Sequence, residues 1–353
     1  MKLAVLISGG RTGSDLFQSL LDGHDQVLTF PGVFFFDDFL KNLKIKKINP
    51  GILFLKMYKK FFDSRLNLLE RHDQLGINKN EHYIIDEHIF LNKFNEISKK
   101  NVSSKFNILL NLHLAYAYAK GEDISKKKLI FLHIHHWHRL KSLNKLNFYI
   151  FYSLREPLAN LSSAFKNWSA YNEKLFSFKE LCLYYDRIRN GIDYCQKIQK
   201  NNFYIIKIED LHCKSEQVLK NFCKLFNLEF QISLYSSTYH NKKWWGDSLS
   251  KKYLDGLNKN YNSQIDKSLF FSYDIKYLKS MMKVIYLNYY ASDFDDKNFF
   301  LYRPLKMEIM LLKNKIKNLN IFSVAKMIYF SILRHYLLNK KISSNVPKNI
   351  INI

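Results

Sequence analysis

Two short stretches of this 353-residue chain carry residue types suited to binding anions. The first is Ser8-Gly9-Gly10-Arg11-Thr12-Gly13-Ser14, which follows the apolar run Leu3 to Ile7. Glycines let the backbone approach a phosphate closely, and the free N–H groups of a helix that starts at once point toward it. Arg11 adds a forked, charged donor, and Thr12 and Ser14 add hydroxyls. This is not a Walker A loop, because that motif needs G-x-x-x-x-G-K-[ST] and no Lys precedes the hydroxyl here. An ordinary glycine-rich turn is the plainer alternative. The second stretch is Ser153-Leu154-Arg155-Glu156-Pro157, with Ser163 eight residues beyond Arg155. Pro157 suits the first position of a helix. Arg155 then ends a strand, where open α/β sheets bind ligands, and Arg155 and Ser163 can close on one phosphate. Alternatively, Arg155 pairs with a carboxylate and Ser163 is a small packed residue.

A third group is rich in imidazole: His133, His135, His136 and His138. A neutral imidazole can take a hydroxyl proton near pH 7. Strand alternation puts His133 and His135 on one face and His136 on the other. His-x-His at a strand end is also a metal-ligand pattern. No second His/Asp/Glu cluster of similar clarity accompanies it, so no metal is expected. His136 and His138 read as structural.

These residues need elements to hold them. The apolar runs Leu3–Ile7, Leu129–Ile134, Asn147–Leu154 and Phe203–Ile208 read as buried parallel strands. Ser14 to Asp22 reads as a helix with Leu16, Phe17, Leu20 and Leu21 on one face and Gly23 just past its end. Phe178 to Gln199 and Ser215 to Phe226 read as further helices. Strand, turn and helix in repetition mean an α/β fold with a parallel sheet covered on both faces. Val33 to Lys128 is mostly helical and reads as an insertion between the first two of these strands. Residues 1–296 are expected to form one domain, and 297–353 two basic helices appended to it. That tail carries eleven Lys/Arg against one acid, Glu308. Its apolar faces are expected to pack on the domain. Its charge suits an anionic membrane or polyanion.

The chain has 55 Lys plus Arg, 31 Asp plus Glu and a formal net charge of +24, which points to an anionic partner. An AT-rich genome explains the same excess, since Lys, Asn, Ile, Phe and Tyr are all abundant. A hydrophobic content of 47% excludes a disordered chain. The aromatic residues are spread out and form no nucleic-acid signature. Cys182, Cys195, Cys213 and Cys223 contain no CxxC pair and read as reduced, buried thiols. Lys2 and five apolar residues make no signal peptide. No uncharged apolar stretch reaches about 20 residues, and Leu319 to Leu338 carries Lys326 and Arg334. These features fit a cytoplasmic protein, with peripheral contact at the inner face of a membrane left open.

Taken together, Ser8–Ser14 and the following Leu16-Phe17-Gln18-Ser19-Leu20-Leu21 resemble the 5′-phosphosulfate loop of sulfotransferases that use 3′-phosphoadenosine 5′-phosphosulfate (PAPS). Arg155-x-Pro157, Ser163 and Trp168 resemble that family's 3′-phosphate motif. Ile206-Lys207-Ile208-Glu209-Asp210-Leu211 is similar to the strand-end segment that follows. Ser237-Thr238-Tyr239-His240 through Trp244-Trp245-Gly246-Asp247 is similar to a late segment of bacterial members. The resemblance covers roughly residues 1 to 250, with a poorly matched middle.

It implies a P-loop-kinase-like three-layer domain that transfers a sulfuryl group from PAPS, without a metal, to a hydroxyl or amine of a small molecule or saccharide. Gly10, Arg11, Thr12, Gly13, Ser14, Arg155 and Ser163 would bind PAPS. Arg11 would also steady charge on the leaving oxygen. His133, 22 residues before Arg155, matches the family's catalytic His best, although the usual Lys-Thr before it is absent. His135 is its neighbour in that role. Where members use a carboxylate, Asp37, Asp38 and Glu87 are the candidates. Asp15 stands where many members have a hydroxyl, and is expected to point away from the phosphosulfate, bonded to the turn. The rival readings are a phosphoryl-transfer enzyme on the same fold and an inactive, basic membrane- or polyanion-binding protein.

Overall fold

The computed structural model describes residues 1–99, 104–171, 177–199, 201–250, 252–290, 303–313, 321–339 and 348–352. The strands are β1 (Lys2–Ser8), β2 (Val27–Leu28), β3 (Leu129–His135), β4 (Tyr149–Leu154), β5 (Phe203–Lys207), β6 (Thr238–Tyr239), β7 (Lys242–Lys243) and β8 (Lys348–Asn349). The helices are α1 (Ser14–Leu21), α2 (Phe36–Lys46), α3 (Pro50–Met57), α4 (Lys59–Phe62), α5 (Glu87–Ser98), α6 (Lys105–Ala119), α7 (Pro157–Tyr171), α8 (Phe178–Ile198), α9 (Ile208–Cys213), α10 (Ser215–Phe226), α11 (Ser272–Met281), α12 (Lys283–Tyr289), α13 (Lys306–Lys313) and α14 (Ile321–Leu338).

A strand that is apolar on both sides must be covered on both sides. β1 buries every residue after Lys2 and takes the middle of a parallel sheet of order β2-β3-β1-β4-β5-β8. On one face, Phe17 of α1 meets Phe131 of β3 edge-on at 5.5 Å and Phe222 of α10 at 5.4 Å. Phe222 also meets Phe151 of β4 at 5.2 Å. Tyr152, next along β4, belongs to the other face, where its hydroxyl donates to the carbonyl of Arg187 in α8 at 2.7 Å. This is the three-layer, P-loop-kinase-like α/β arrangement expected from the sequence. From β1 the chain crosses to β3 on one side and later to β4 on the other. The loops after β1 and β4 therefore flank a topological switch point, where such sheets form a crevice.

Helices α2 to α6 occupy the stretch read as an insertion. They surround an aromatic cluster in which Phe34 meets Phe54 at 5.3 Å and His113 stacks on Phe30 at 3.8 Å. Asn49 caps α3 by accepting the Gly51 and Ile52 N–H groups, with Pro50 at the first helical position.

The C-terminal helix departs from expectation. α14 packs on α8 and buries Met327, Ser331, Arg334, His335 and Leu338, with Arg334 ion-paired to Glu308 of α13. Its strongly apolar face is turned outward. A buried ion pair needs both partners in place, so the Arg334–Glu308 pair holds the helix to this seat alongside the buried Met327 and Leu338. The thiols also differ in part from the reading. All four are free, but Cys213 is exposed, donating to the Tyr261 carbonyl at 3.3 Å.

Candidate functional site

β1 ends at Ser8, in register with Ser153 at the end of β4. Ser8 Oγ accepts the Gly10 N–H at 2.8 Å, and the chain then turns through Gly10, Arg11 and Gly13, all at positive φ. Gly13 is required on two grounds. Its φ of 77° is left-handed, and a Cβ there would sit 2.0 Å from Ile208 Cδ1. A Cβ on Gly10 would press on the Trp168 ring at 3.3 Å. The loop is tied down from beneath: the Tyr184 hydroxyl donates to Gly10 O at 2.7 Å, and Ser153 Oγ donates to Thr12 O at 2.7 Å. Gly13 is the N-cap of α1, and no side chain caps it, so the helix's positive end is left for a ligand. Thr12 turns its hydroxyl onto Ser8 Oγ at 3.3 Å, and both Thr12 and Ser14 are buried. The Thr12 hydroxyl is thus engaged within the loop, while Arg11 and Gly13 face the cavity.

A cavity of about 650 Å³ lies in front of the loop, walled by Arg11, Gly13, Asp15, Arg155, Ser163 and Asp247, among others. That volume suits a nucleotide-sized ligand. Arg155 follows directly on β4. One of its terminal nitrogens donates to Arg11 O at 3.4 Å, and its buried Nε has no partner. Among the described residues no carboxylate lies within ion-pair distance of it. The alternative of an Arg155–carboxylate pair is therefore not what the fold makes. Ser163 sits in the second turn of α7 and accepts from Asn167 Nδ2 at 3.2 Å, which leaves its own proton to donate elsewhere.

Arg11 is held differently. It donates to Asp247 Oδ2 at 2.6 Å and to Ser250 Oγ at 2.7 Å. The segment bearing Asp247 is anchored by two indoles, Trp244 Nε1 to Glu70 O and Trp245 Nε1 to Gly76 O, each at 2.6 Å. Sequence reasoning noted this segment but not its grip on Arg11.

The histidines gather behind the N-terminal turn of α1. A register shift between Leu6 and Ile7 makes a bulge at the end of β3, and His135 takes a φ of 64°. The bulge breaks the alternation expected of His136. Ring centroids are 5.4 Å apart for His133 and His135, 4.8 Å for His135 and His136, and 5.5 Å for His136 and His138. Gln18 Nε2 donates to Phe30 O at 2.7 Å and Gly32 O at 3.1 Å, so its Oε1 faces His133 Nδ1 at 2.9 Å. His133 is thereby a donor at Nδ1 and an acceptor at Nε2, which meets His135 Nδ1 at 3.4 Å. The second nitrogen of His135 keeps its lone pair. Burial holds His133 well below its usual range, with His135 adding to the effect. Burial also lowers His135, Asp15 opposing and Arg187, Arg11 and Arg139 reinforcing it. His136 is brought down to about 2 by burial and then by His135 and Arg187. The cluster is neutral at pH 7.

Asp15 corrects the sequence reading. It lies on the cavity wall, 3.6 Å from His133 Nδ1, and does not turn away. The positive end of α1 draws it in. Asp37 and Asp38 are bound to Arg139 at 2.6 and 2.8 Å, and Glu87 is exposed on the first turn of α5. Two residues carried no sequence signal. Burial, together with Asp15 and Asp247, pushes the Glu70 carboxyl up. Arg187 is 19% exposed, has Glu180 at 3.7 Å as its one ionic partner among the described residues, and adds to burial in lowering His135 and His136. Both sit far from the loops in sequence, and only the fold brings them near.

No family model and no curated protein sequence matches the chain. Solved structures similar to it include the sulfotransferase domain of the Synechococcus PCC 7002 olefin synthase, at 15% identity and a TM-score of 0.40, covering 90% of this chain and 95% of that one. The sulfotransferase domain of the curacin biosynthetic pathway matches at 14% identity and a TM-score of 0.40, over 90% and 98%. Sulfotransferase STF9 from Mycobacterium avium matches at 9% identity and a TM-score of 0.40, over 84% and 78%. At such identities these structures give no residue of this chain a role.

Proposed function

We propose that the chain is a sulfotransferase that moves a sulfuryl group from PAPS to a hydroxyl or amine. The observation that carries this reading is the shared cavity: an uncapped helix N-terminus behind a glycine loop on one wall, and an Arg155 guanidinium without a carboxylate on another. A half-buried cation whose buried Nε is unpartnered is costly unless an anion completes it. In this reading Arg155 and Ser163 take the 3′-phosphate, and the Gly10–Ser14 backbone with Arg11 takes the 5′-phosphosulfate. Asp247 holds the Arg11 fork in one orientation.

Transfer breaks the sulfur–oxygen bond to the 5′-phosphate and forms one to the acceptor oxygen or nitrogen. The acceptor proton goes to the free nitrogen of His135. His133, fixed by Gln18, holds the other nitrogen of His135 and is a positioning residue. Like phosphoryl transfer, this chemistry asks mainly for in-line placement and stabilisation of charge. The test is a melting experiment with 3′-phosphoadenosine 5′-phosphate beside ATP, followed by transfer of labelled sulfate from PAPS into a lysate. The 3′-phosphorylated product should raise the melting temperature and ATP should not, since only a formed site gains ligand linkage. Equal stabilisation by ATP, or none by either nucleotide, would remove the reading.

A further inference from the structure

α14 seats a mixed face, Met327 and Leu338 beside Ser331, Arg334 and His335, and leaves a row of apolar side chains exposed. At 100° per residue, Met327, Ser331, Arg334, His335 and Leu338 fall on an arc of about 100°, and this is the arc seated in the protein. Glu308 pairs with Arg334 there and accepts from Ser331 Oγ at 2.9 Å, and His335 Nδ1 meets the Tyr277 hydroxyl at 3.1 Å. A separate arc of about 120° holds Ile321, Phe322, Ile328, Tyr329 and Ile332. Their exposures are 81, 70, 48, 60 and 47%. From Ile321 to Ile332 this makes an apolar ridge roughly 17 Å long.

The C-terminal segment that carries the ridge has charge of almost one sign. Residues 297–353 contain eleven Lys/Arg and a single acid, Glu308, and that acid is buried against Arg334. No carboxylate side chain from this segment is left for its surface. Lys326 is exposed at the edge of the apolar arc. Lys313, Lys315 and Lys317 precede the helix in sequence, and Lys340 and Lys341 follow it.

We propose that the outer face of α14 docks on the surface of an anionic lipid bilayer, lying in the plane of the interface. Apolar and aromatic side chains on one arc with Lys at its border is the pattern of an interfacial helix. Charge complementarity selects the occupant. A second copy of a chain with a net charge of +24 would bring like charges together, whereas an anionic headgroup layer attracts them. α14 has the length and composition to cross a membrane, but crossing would pull Arg334 from Glu308 and strand a buried charge. It therefore lies on the bilayer rather than through it. The proposal is independent of the sulfotransferase reading.

The test is flotation of the full chain with vesicles of phosphatidylcholine, alone or with roughly 30% phosphatidylglycerol, at about 0.1 M and about 0.5 M salt. The protein should float with the anionic vesicles at low salt, be released at high salt, and ignore the neutral ones. Phe322→Glu with Ile332→Glu changes only exposed positions. It should keep the melting temperature and nucleotide binding and lose vesicle binding at least tenfold, a loss of about that order being expected for charges placed on the inserted face. Absence of flotation with anionic vesicles, or equal flotation of the double variant, would overturn the proposal. So would a dimer seen by light scattering that the double variant dissolves, which would give the face to a second copy.

Discussion

The two groups that meet at the start of α1 differ in how completely their polar atoms are partnered. On the cavity side, Arg155 has one long bond to a backbone carbonyl and a bare Nε, and α1 has no capping side chain. On the histidine side, Gln18, His133 and His135 form a chain in which each link fixes the tautomer of the next and which ends at the open second nitrogen of His135. Unused donors mark where a ligand completes the structure. A chain of bonds that fixes successive tautomers marks side chains held in one orientation, with the last lone pair presented for chemistry. The cavity side should thus control affinity, and the histidine side should control turnover.

The sharpest break of that contrast is at His135. His135→Ala should lower turnover by ~10²–10⁴-fold, the usual range for a general base, with nucleotide affinity nearly unchanged. Burial holds His135 below its ordinary value, so the wild-type rate should stay flat down through neutral pH and decline only below about 6.5. His133→Ala should lower turnover less. It should also move the acidic limb upward, because the opened site hydrates His135 and lets it protonate more readily. Near-normal turnover in His135→Ala, with loss in His133→Ala, would pass the base to His133.

Arg155 tests the other side. Arg155→Ala should weaken binding of 3′-phosphoadenosine 5′-phosphate by ~1.5–3 kcal/mol, the usual worth of a charged hydrogen bond. Binding of adenosine 5′-phosphosulfate, which lacks the 3′-phosphate, should hardly change. Calorimetry on both ligands decides: an equal loss for the two would mean that Arg155 supports the loop through Arg11 O rather than reading the phosphate.

What the sequence made legible divides along the same line. Gly13 and Arg155 were readable because their chemistry is local: a tight turn opening a helix, and an Arg at a strand end before a helix-starting Pro. The central strands were readable because burial on both faces leaves an unbroken apolar run. β2 and β8, at two residues each, are too short to show a period, and only pairing to β3 and β5 makes them strands. The clamp of Asp247 on Arg11 spans 236 positions and leaves no local trace. The bulge that gathers His136 with its neighbours breaks the very alternation used to place it. α14 misled for a related reason: its seated face mixes Met327 and Leu338 with Ser331, Arg334 and His335, and the partner of Arg334, Glu308, lies on another helix.

Asp15 sits between the two sides, and the smallest expected effects belong to it. It is in the first turn of α1, lines the cavity and stands 3.6 Å from His133. Asp15→Asn should therefore act in three directions at once. Removing a negative charge from a helix N-terminus should lower stability by ~0.3–1 kcal/mol. Removing it from the wall of an anion site should tighten 3′-phosphoadenosine 5′-phosphate, by about 0.5–1 kcal/mol for partly screened charges. Asp15 also favours protonation of His135, so its loss should push the acidic limb of the rate profile to lower pH. A carboxylate turned out to the loop, as the sequence alone suggested, would give the first effect without the other two. Melting curves, calorimetry and a pH–rate profile on this one variant separate the cases, and unchanged nucleotide affinity would place Asp15 outside the anion site.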